Sequence, residues 1–335
     1  MSLGATDAPA YLGVDGGGTK TALCVVSADG RLLAERAAPS CYYLGAGQDS
    51  GPELVREVLG VAVPAVCAAA GIDAASLAGA FFGLPAYGEA SADLAELDAV
   101  PASFLGHHRY SCDNDMVCGW AGSLALADGV NVVSGTGSMS YGEHGGRRVR
   151  VGGWGELVGD EGSAYWLGVR GLQAWTRMAD GREPVGALHG LLAERLQLGA
   201  PLDLVSLVHE TWGGDRLTIA ALAPLVVEAA ERGDPVAQRV VDDAVCELVA
   251  LVRAAVVQLQ LQETVVRVSC SGGVFRSATI RSAFAGRLAD AGRFELRAPR
   301  FSPVVGAAIY AAREAGTPLG PEALARLDAS VATSS

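Results

Sequence analysis

YLGVDGGGTKTALCVVSADGRLLAERAA, residues 11–38, decides the fold. An apolar run ends at Asp15, three glycines follow, and a second apolar run carries the chain from Thr19 to Ser27. Asp29-Gly30 is a hairpin signal and RLLAERAA is a third run, so the segment reads strand, glycine turn, strand, tight turn, strand. Consecutive glycines let a backbone bend with positive φ and approach a ligand with no Cβ in the way. Successive N–H groups in such a turn suit phosphate oxygens. Asp15, closing the first strand, is placed to hold a metal through water. The pattern is neither GxxxxGK[ST] nor a GxGxxG that opens a helix, because these glycines join two strands.

Working outward, helical spacing over 52–71 stops at Gly71, and LAGAFFGLPA (77–86) reads as a buried strand. A short helix at 90–98, a strand ending over Tyr110–Asp115 and a helix over 116–127 follow. Val130–Ser134 is then a strand leading into Gly135-Thr136-Gly137-Ser138, a second glycine turn whose hydroxyls can donate to phosphoryl oxygens. The later half reads as helices over 162–179, 184–197, 201–212, 216–232 and 234–260. A strand over 264–271 ends in Ser271-Gly272-Gly273, and a helix (277–291), a strand (293–298) and a helix from Pro303 complete the chain. A β-β-β-α-β-α-β unit thus begins at residue 11 and again near 130, without detectable identity between the copies.

Composition narrows the function. The 335 residues are 50% hydrophobic and 19% charged, with net charge −12 and a pI near 4.9, which suits a folded chain with a large core. The densest basic cluster, Arg147, Arg148 and Arg150, reads as a solvated turn, so no nucleic-acid partner is expected. An acidic protein handling a nucleotide must hold it by local dipoles and a metal. Seven scattered cysteines match no zinc spacing and read as buried thiols in a reducing cytoplasm. His107-His108 reads as a loop pair. No secretory signal or membrane-spanning run is apparent, so the expectation is a soluble, cytoplasmic protein with a frayed tail over 328–335.

Cys112-Asp113-Asn114-Asp115 lies between a strand end and a helix start. Asp and Asn there are favoured as helix caps, and two acids there also suit a general base.

Taken together, VDGGGTKT, Asn114-Asp115, VVSGTGS, GGWGELVGDEGSAYW and SCSGGVF resemble, in order from about residue 11 to 312, the N-acetylglucosamine kinase family. That family belongs to the sugar kinase, heat-shock chaperone and actin superfamily. The resemblance implies an α/β fold of two ribonuclease H-like, actin/hexokinase-type domains, each a mixed five-stranded sheet flanked by helices, around an interdomain cleft. The expected domains are 11–116 and 117–303, with a helix at about 304–325 packing back near the first. By the same resemblance Asp15 organises Mg²⁺, Gly16, Gly17, Gly18, Thr19 and Lys20 hold ATP phosphates, and Asp115 is the catalytic base. Gly135, Thr136, Gly137 and Ser138 hold phosphate and sugar edges, and Gly153, Trp154, Asp160, Thr136 and Asp115 line the sugar site. Gly272 and Gly273 pass the adenosine, Gly306 and Ala307 sit on a hinge helix, and a homodimer is common among look-alikes.

One departure concerns the sugar: an Asn-bearing turn common in the family reads Ser40-Cys41-Tyr42-Tyr43 here, where a tyrosine can hydrogen-bond or stack on a sugar face. The expected reaction is in-line transfer from MgATP to an amino-sugar hydroxyl, the 6-OH of N-acetylglucosamine first, with glucosamine or another hexose as alternatives. A rival of another class is an ATPase activator of a 2-hydroxyacyl-CoA dehydratase. That group carries cluster-binding cysteines where this chain has GDEGSAYW.

Overall fold

The computed structural model describes residues 8–44, 50–261 and 264–332. The chain divides into two compact units, one drawn from Met1–Ala127 and Pro299–Ser335 and the other from Asp128–Ala298.

In the first unit, β1 (Ala10–Gly16), β2 (Lys20–Ser27) and β3 (Leu32–Pro39) form an antiparallel meander. β4 (Gly79–Leu84) and β5 (Tyr110–Asn114) add in parallel on the other side of β1, giving the order β3-β2-β1-β4-β5. Helix α1 (Pro52–Ala69) turns Val55, Leu59, Val63 and Val66 onto the sheet at helical spacing. Each such buried aliphatic contributes roughly 1.5–3 kcal/mol of transfer free energy. The small helices α2 (Leu94–Ala99) and α3 (Ala102–Leu105) and the wholly buried α4 (Met116–Leu124) complete this stretch.

The second unit repeats the plan. Here β6 (Gly129–Ser134), β7 (Ser138–His144) and β8 (Arg147–Gly152) form the meander, and β9 (Val266–Ser271) and β10 (Phe294–Arg297) add in parallel. The order β8-β7-β6-β9-β10 is that of the first sheet, strand for strand. The duplication read from the two glycine hairpins is therefore architectural. Helices α5 (Ala164–Ala179), α6 (Ala187–Leu196), α7 (Asp203–Ser206), α8 (Arg216–Ala220), α9 (Ala223–Glu231), α10 (Pro235–Gln258) and α11 (Ala278–Asp290) surround the sheet. Asp234 ties two of them: it caps α10 through Val236 and Ala237 and also accepts the Leu188 N–H at the start of α6.

The chain returns to the first unit with α12 (Pro303–Glu314) and α13 (Pro321–Ala332), separated by a break at Gly316. α12 packs on β1 and α4 through bare backbone: a Cβ on Gly13 would lie 2.4 Å from Ala308 N, and one on Gly306 2.2 Å from Gly122 N. This contact keeps α4 with the first unit, whose chain runs to Ala127.

Three local expectations are corrected. Arg147, Arg148 and Arg150 lie on the edge strand β8, where Arg148 pairs with the buried Glu143, so the cluster belongs to a strand and not a turn. Residues 328–332 are helical, because Asp328 is held by Arg300 at 2.6 Å; 333–335 lie outside the described residues. Cys246 is exposed on α10 and Cys112 is half-buried, so burial does not hold for all seven thiols. No helix among the described residues is long and apolar enough to cross a membrane.

Candidate active site

In open α/β sheets, ligands meet the carboxyl ends of parallel strands. In the first unit the register places Asp15 of β1 beside Gly83 of β4, and Gly83 beside Asp113 of β5. Gly83 is required for this approach, because a Cβ there would lie 3.1 Å from Asp115 Cα and 2.2 Å from Cys118 Sγ. Asp115, at the head of α4, and Asp15 are therefore neighbours across a glycine.

Both aspartates are half-buried. Burial, then the charge of Asp115, pushes the Asp15 carboxyl up to about 8, against smaller opposing pulls from a Cys118 hydrogen bond and then from Lys20. The capping alternative for 114–115 is shared out. Asn114 is buried, accepts the Met116 N–H at 3.2 Å and donates to Tyr87 O, whereas Asp115 makes no capping hydrogen bond.

Among the described residues no cluster of three or more His, Cys, Asp or Glu could hold a metal alone. Mg²⁺ is commonly held by one or two carboxylates, waters and substrate phosphates, so the donor set fits a nucleotide-borne Mg²⁺. One consequence is measurable without activity. A carboxyl with a raised folded pKa adds stability that is full below the unfolded value, near 3.8, and lost as pH rises through about 8. In EDTA, Asp15→Asn is thus expected to melt above wild type at pH 8 and with it near pH 4. Equal shifts at both pH values would refute the coupling.

The turn between β1 and β2 is closed by Gly17 N–H to Lys20 O at 2.9 Å, and Ser40 Oγ donates to Gly17 O at 2.7 Å. The expectation of positive φ at 16–18 is corrected: none of these glycines is left-handed. Gly16 is needed for space. A Cβ on Gly16 would strike Pro85 Cδ at 2.6 Å and Cys41 Sγ at 2.8 Å, while Gly18 faces open space beside exposed Thr19 and Lys20. The 40–43 stretch is accordingly split: Ser40 braces the turn, Cys41 and Tyr43 are buried, and Tyr42 is exposed.

In the second unit the analogous turn is laced to the start of α5. Ala164 N–H donates to Gly135 O at 2.8 Å, Tyr165 N–H to Thr136 O at 3.3 Å, Ser134 Oγ to Gly162 O and Ser138 Oγ to Glu161 O. Ser138 thus uses its hydroxyl internally, and its N–H binds Asp160 at 3.2 Å. Gly135 is open on its ligand side. The register Val133↔Ser271 brings the 271–273 turn alongside, and Gly272, at φ +99°, lies so close that a Cβ would be 2.3 Å from Ser134 O. A buried ladder, Asn131 to Ser269 at 2.8 Å and Ser271 to Asn131 at 3.3 Å, holds the two strand ends together.

These turns open onto a cavity of about 670 Å³. Gly135, Thr136 and Gly273 form one end, and Val274, Ile280, Leu217 and Val227 its apolar walls. Glu228, Glu231, Arg276 and Ser277 are its polar members. Its size and lining suit a flat base and a sugar with hydroxyls. The wall from α8 and α9 escaped sequence reasoning, since Ala220, Ala221 and Ala223 look like any amphipathic helix.

Gly153 is buried, with its N–H on Ser138 O at 3.0 Å. Trp154 next to it is 76% exposed, with Leu157 and Val158 also bare, so Trp154 is not a core tryptophan. Asp160 is buried at left-handed φ +59°, and burial raises its pKa against the pull of Ser138 and Arg216.

A family model of the BadF/BadG/BcrA/BcrD ATPases matches residues 12–311, spanning both units. The chain belongs to that family. Among relatives of this ATPase family member, the N-acetylmuramic acid/N-acetylglucosamine kinase of Clostridium acetobutylicum is 30% identical over 277 residues, 79% of this chain and 85% of its own. The N-acetyl-D-glucosamine kinase of Dictyostelium discoideum is 29% identical over 259 residues, 76% of this chain and 81% of its own. A candidate N-acetylglucosamine kinase from Chromobacterium violaceum superposes with a TM-score of 0.71 at 26% identity, over 90% of this chain and 98% of its own. A ROK family glucokinase from Streptomyces griseus, solved with glucose and AMPPNP, shares the fold at a TM-score of 0.55 and 18% identity, over 91% of this chain and 99% of its own. The family resemblance and the hexokinase-type architecture read from the motifs are both borne out.

Proposed function

We propose that this chain is an amino-sugar kinase that transfers the γ-phosphoryl group of ATP to the 6-hydroxyl of N-acetylglucosamine. The observation that supports this most is the adjacent pair of half-buried aspartates, one of them at a helix head yet not capping it. Asp115 accepts the hydroxyl proton as the oxygen attacks phosphorus in line. Asp15 holds Mg²⁺, whose charge when bound offsets that building on the phosphoryl oxygens. The backbone N–H groups around Gly18 and Gly135 take phosphate oxygens, where no side chain obstructs them. The nucleoside lies in the second unit's cavity, walled by Val274 and Val227.

The sugar lies against Trp154 and the 153–160 loop. Of five tryptophans, Trp120 and Trp175 are buried, Trp166 and Trp212 are half-buried and Trp154 is exposed, so Trp154 is the reporter and its substitution isolates its signal. Saturating N-acetylglucosamine is expected to shift the intrinsic fluorescence, and Trp154→Phe to abolish the shift; an unchanged shift in that variant would remove Trp154 from the sugar site. The same reading makes the enzyme cytoplasmic and homodimeric, which sedimentation tests.

The decisive experiment is ADP release over a panel of N-acetylglucosamine, N-acetylmuramate, N-acetylmannosamine, glucosamine and glucose. Turnover with an amino sugar supports the proposal, and no turnover with any of them overturns it.

A further inference from the structure

Arg216 was not singled out by any motif, yet it joins three parts of the second unit. It opens α8, whose next residues, Leu217 and Ala220, wall the cavity. Its Nη2 donates to Asp160 Oδ2 at 2.5 Å, and its Nη1 lies 3.5 Å from Glu156 Oε2. The other Asp160 oxygen accepts the Ser138 N–H. The same guanidinium lies against the glycine turn, because a Cβ on Gly137 would come within 2.5 Å of Nη2. One cation therefore touches the cavity wall, the 135–138 turn and the loop that carries Trp154. Its Nε is buried and has no hydrogen-bond partner among the described residues, so a donor remains beside the turn.

The partners explain why this contact is decisive. Asp160 is only 2% exposed and sits at a left-handed φ that a non-glycine residue adopts under strain. A buried carboxylate in that conformation persists only if it is paired. The loop before it is anchored at its start by Arg150 and Ser138 on Gly153, but beyond that Trp154, Leu157 and Val158 are bare. Beside the hydrogen bonds that tie this loop to Ser138, the Arg216 fork ties it to α8 and so to the cavity wall.

We infer that Arg216 is a positioning residue that makes nucleotide and sugar bind cooperatively. Filling the cavity steadies α8, α8 aims the guanidinium, and the guanidinium fixes Asp160, Glu156 and the Trp154 loop. The inference rests on the proposed placement of the nucleoside in the cavity and of the sugar on that loop. Linkage makes the effect reciprocal: each ligand tightens the other by the same factor.

The test is calorimetric. The Kd of MgADP is measured with and without saturating N-acetylglucosamine, for wild type, Arg216→Met and Arg216→Lys, with melting curves for each. Wild type is expected to bind MgADP about 5–150-fold tighter with sugar present, the usual span of coupling. Arg216→Met is expected to bring that factor to within about twofold of unity. Arg216→Lys, which keeps the charge without the planar fork, is expected to retain part of it. Should Arg216→Met fold poorly, Glu156→Gln removes one arm at a side chain 35% exposed, and a reduced factor is again expected. Absence of coupling in wild type overturns the inference. So does an unchanged factor in folded variants whose two affinities merely fall together with the melting temperature. If wild type binds neither ligand, it is the proposed function itself that fails.

Discussion

Replacing Asp115 with asparagine is expected to lower kcat by about 10²–10⁴-fold, the usual worth of a positioned general base, while the protein folds normally. The structure supports the second half of that expectation. Asn114, not Asp115, accepts the Met116 N–H at the head of α4, so the substitution removes no cap. It also removes the negative charge that helps raise the Asp15 carboxyl, so the melting temperature without ligands is expected to stay level or rise. Steady-state ADP release and thermal melts together decide the matter. Near-wild-type turnover would take Asp115 out of the base role, and a collapse in melting temperature would show that its part is structural.

The second large effect is on stability. Gly306→Val is expected to cost about 3 kcal/mol or more, at the upper end of what overpacking does. At Gly306 the obstruction is backbone: Gly122 N at 2.2 Å and Cys118 O at 2.3 Å, neither of which can turn aside as a side chain could. The crossing is tight in the other direction too, since a Cβ on Gly122 would meet Ser302 O at 2.5 Å. Because α12 also lies on Gly13 of β1, the same change displaces the strand carrying Asp15 and the helix headed by Asp115. Denaturant titration measures the loss. Gly190→Ala in α6, where nothing lies within 4 Å of the added Cβ, is the control and is expected to stabilise by roughly 0.5–1 kcal/mol. A Gly306 variant as stable as that control would refute the packing argument.

What could be read from the chain was local and periodic. The β1–β3 hairpins are written in alternating apolar runs broken by glycine, and their recurrence near residue 130 foretold the second sheet. Asp15 and Asp115 were legible as acids at strand ends, although their adjacency depends on register through Gly83. The glycine run at 16–18 is legible as unusual, but the reason at Gly16 is crowding by Pro85 and Cys41, segments remote in sequence, and not a positive φ. Arg216 pairs with an aspartate 56 positions away, and Ser40 braces a turn 23 positions earlier. Nothing in composition or spacing marks such partners, because both are ordinary polar residues until the fold juxtaposes them. The exposure of Trp154 was equally hidden, since a tryptophan among glycines suits a core or a surface loop.

The way the first unit is assembled bears on how the protein is made. Its sheet is finished by Asn114, but the helix that covers β1 begins only at Pro303, with all of Asp128–Ala298 in between. On a ribosome adding roughly 5–20 residues each second, the bare face of β1 waits on the order of ten seconds or more for its cover. The intervening unit is continuous in the chain and can close on itself meanwhile. Synthesis therefore exposes the aspartate-bearing sheet longest, and that is where a nascent chain has most need of a chaperone.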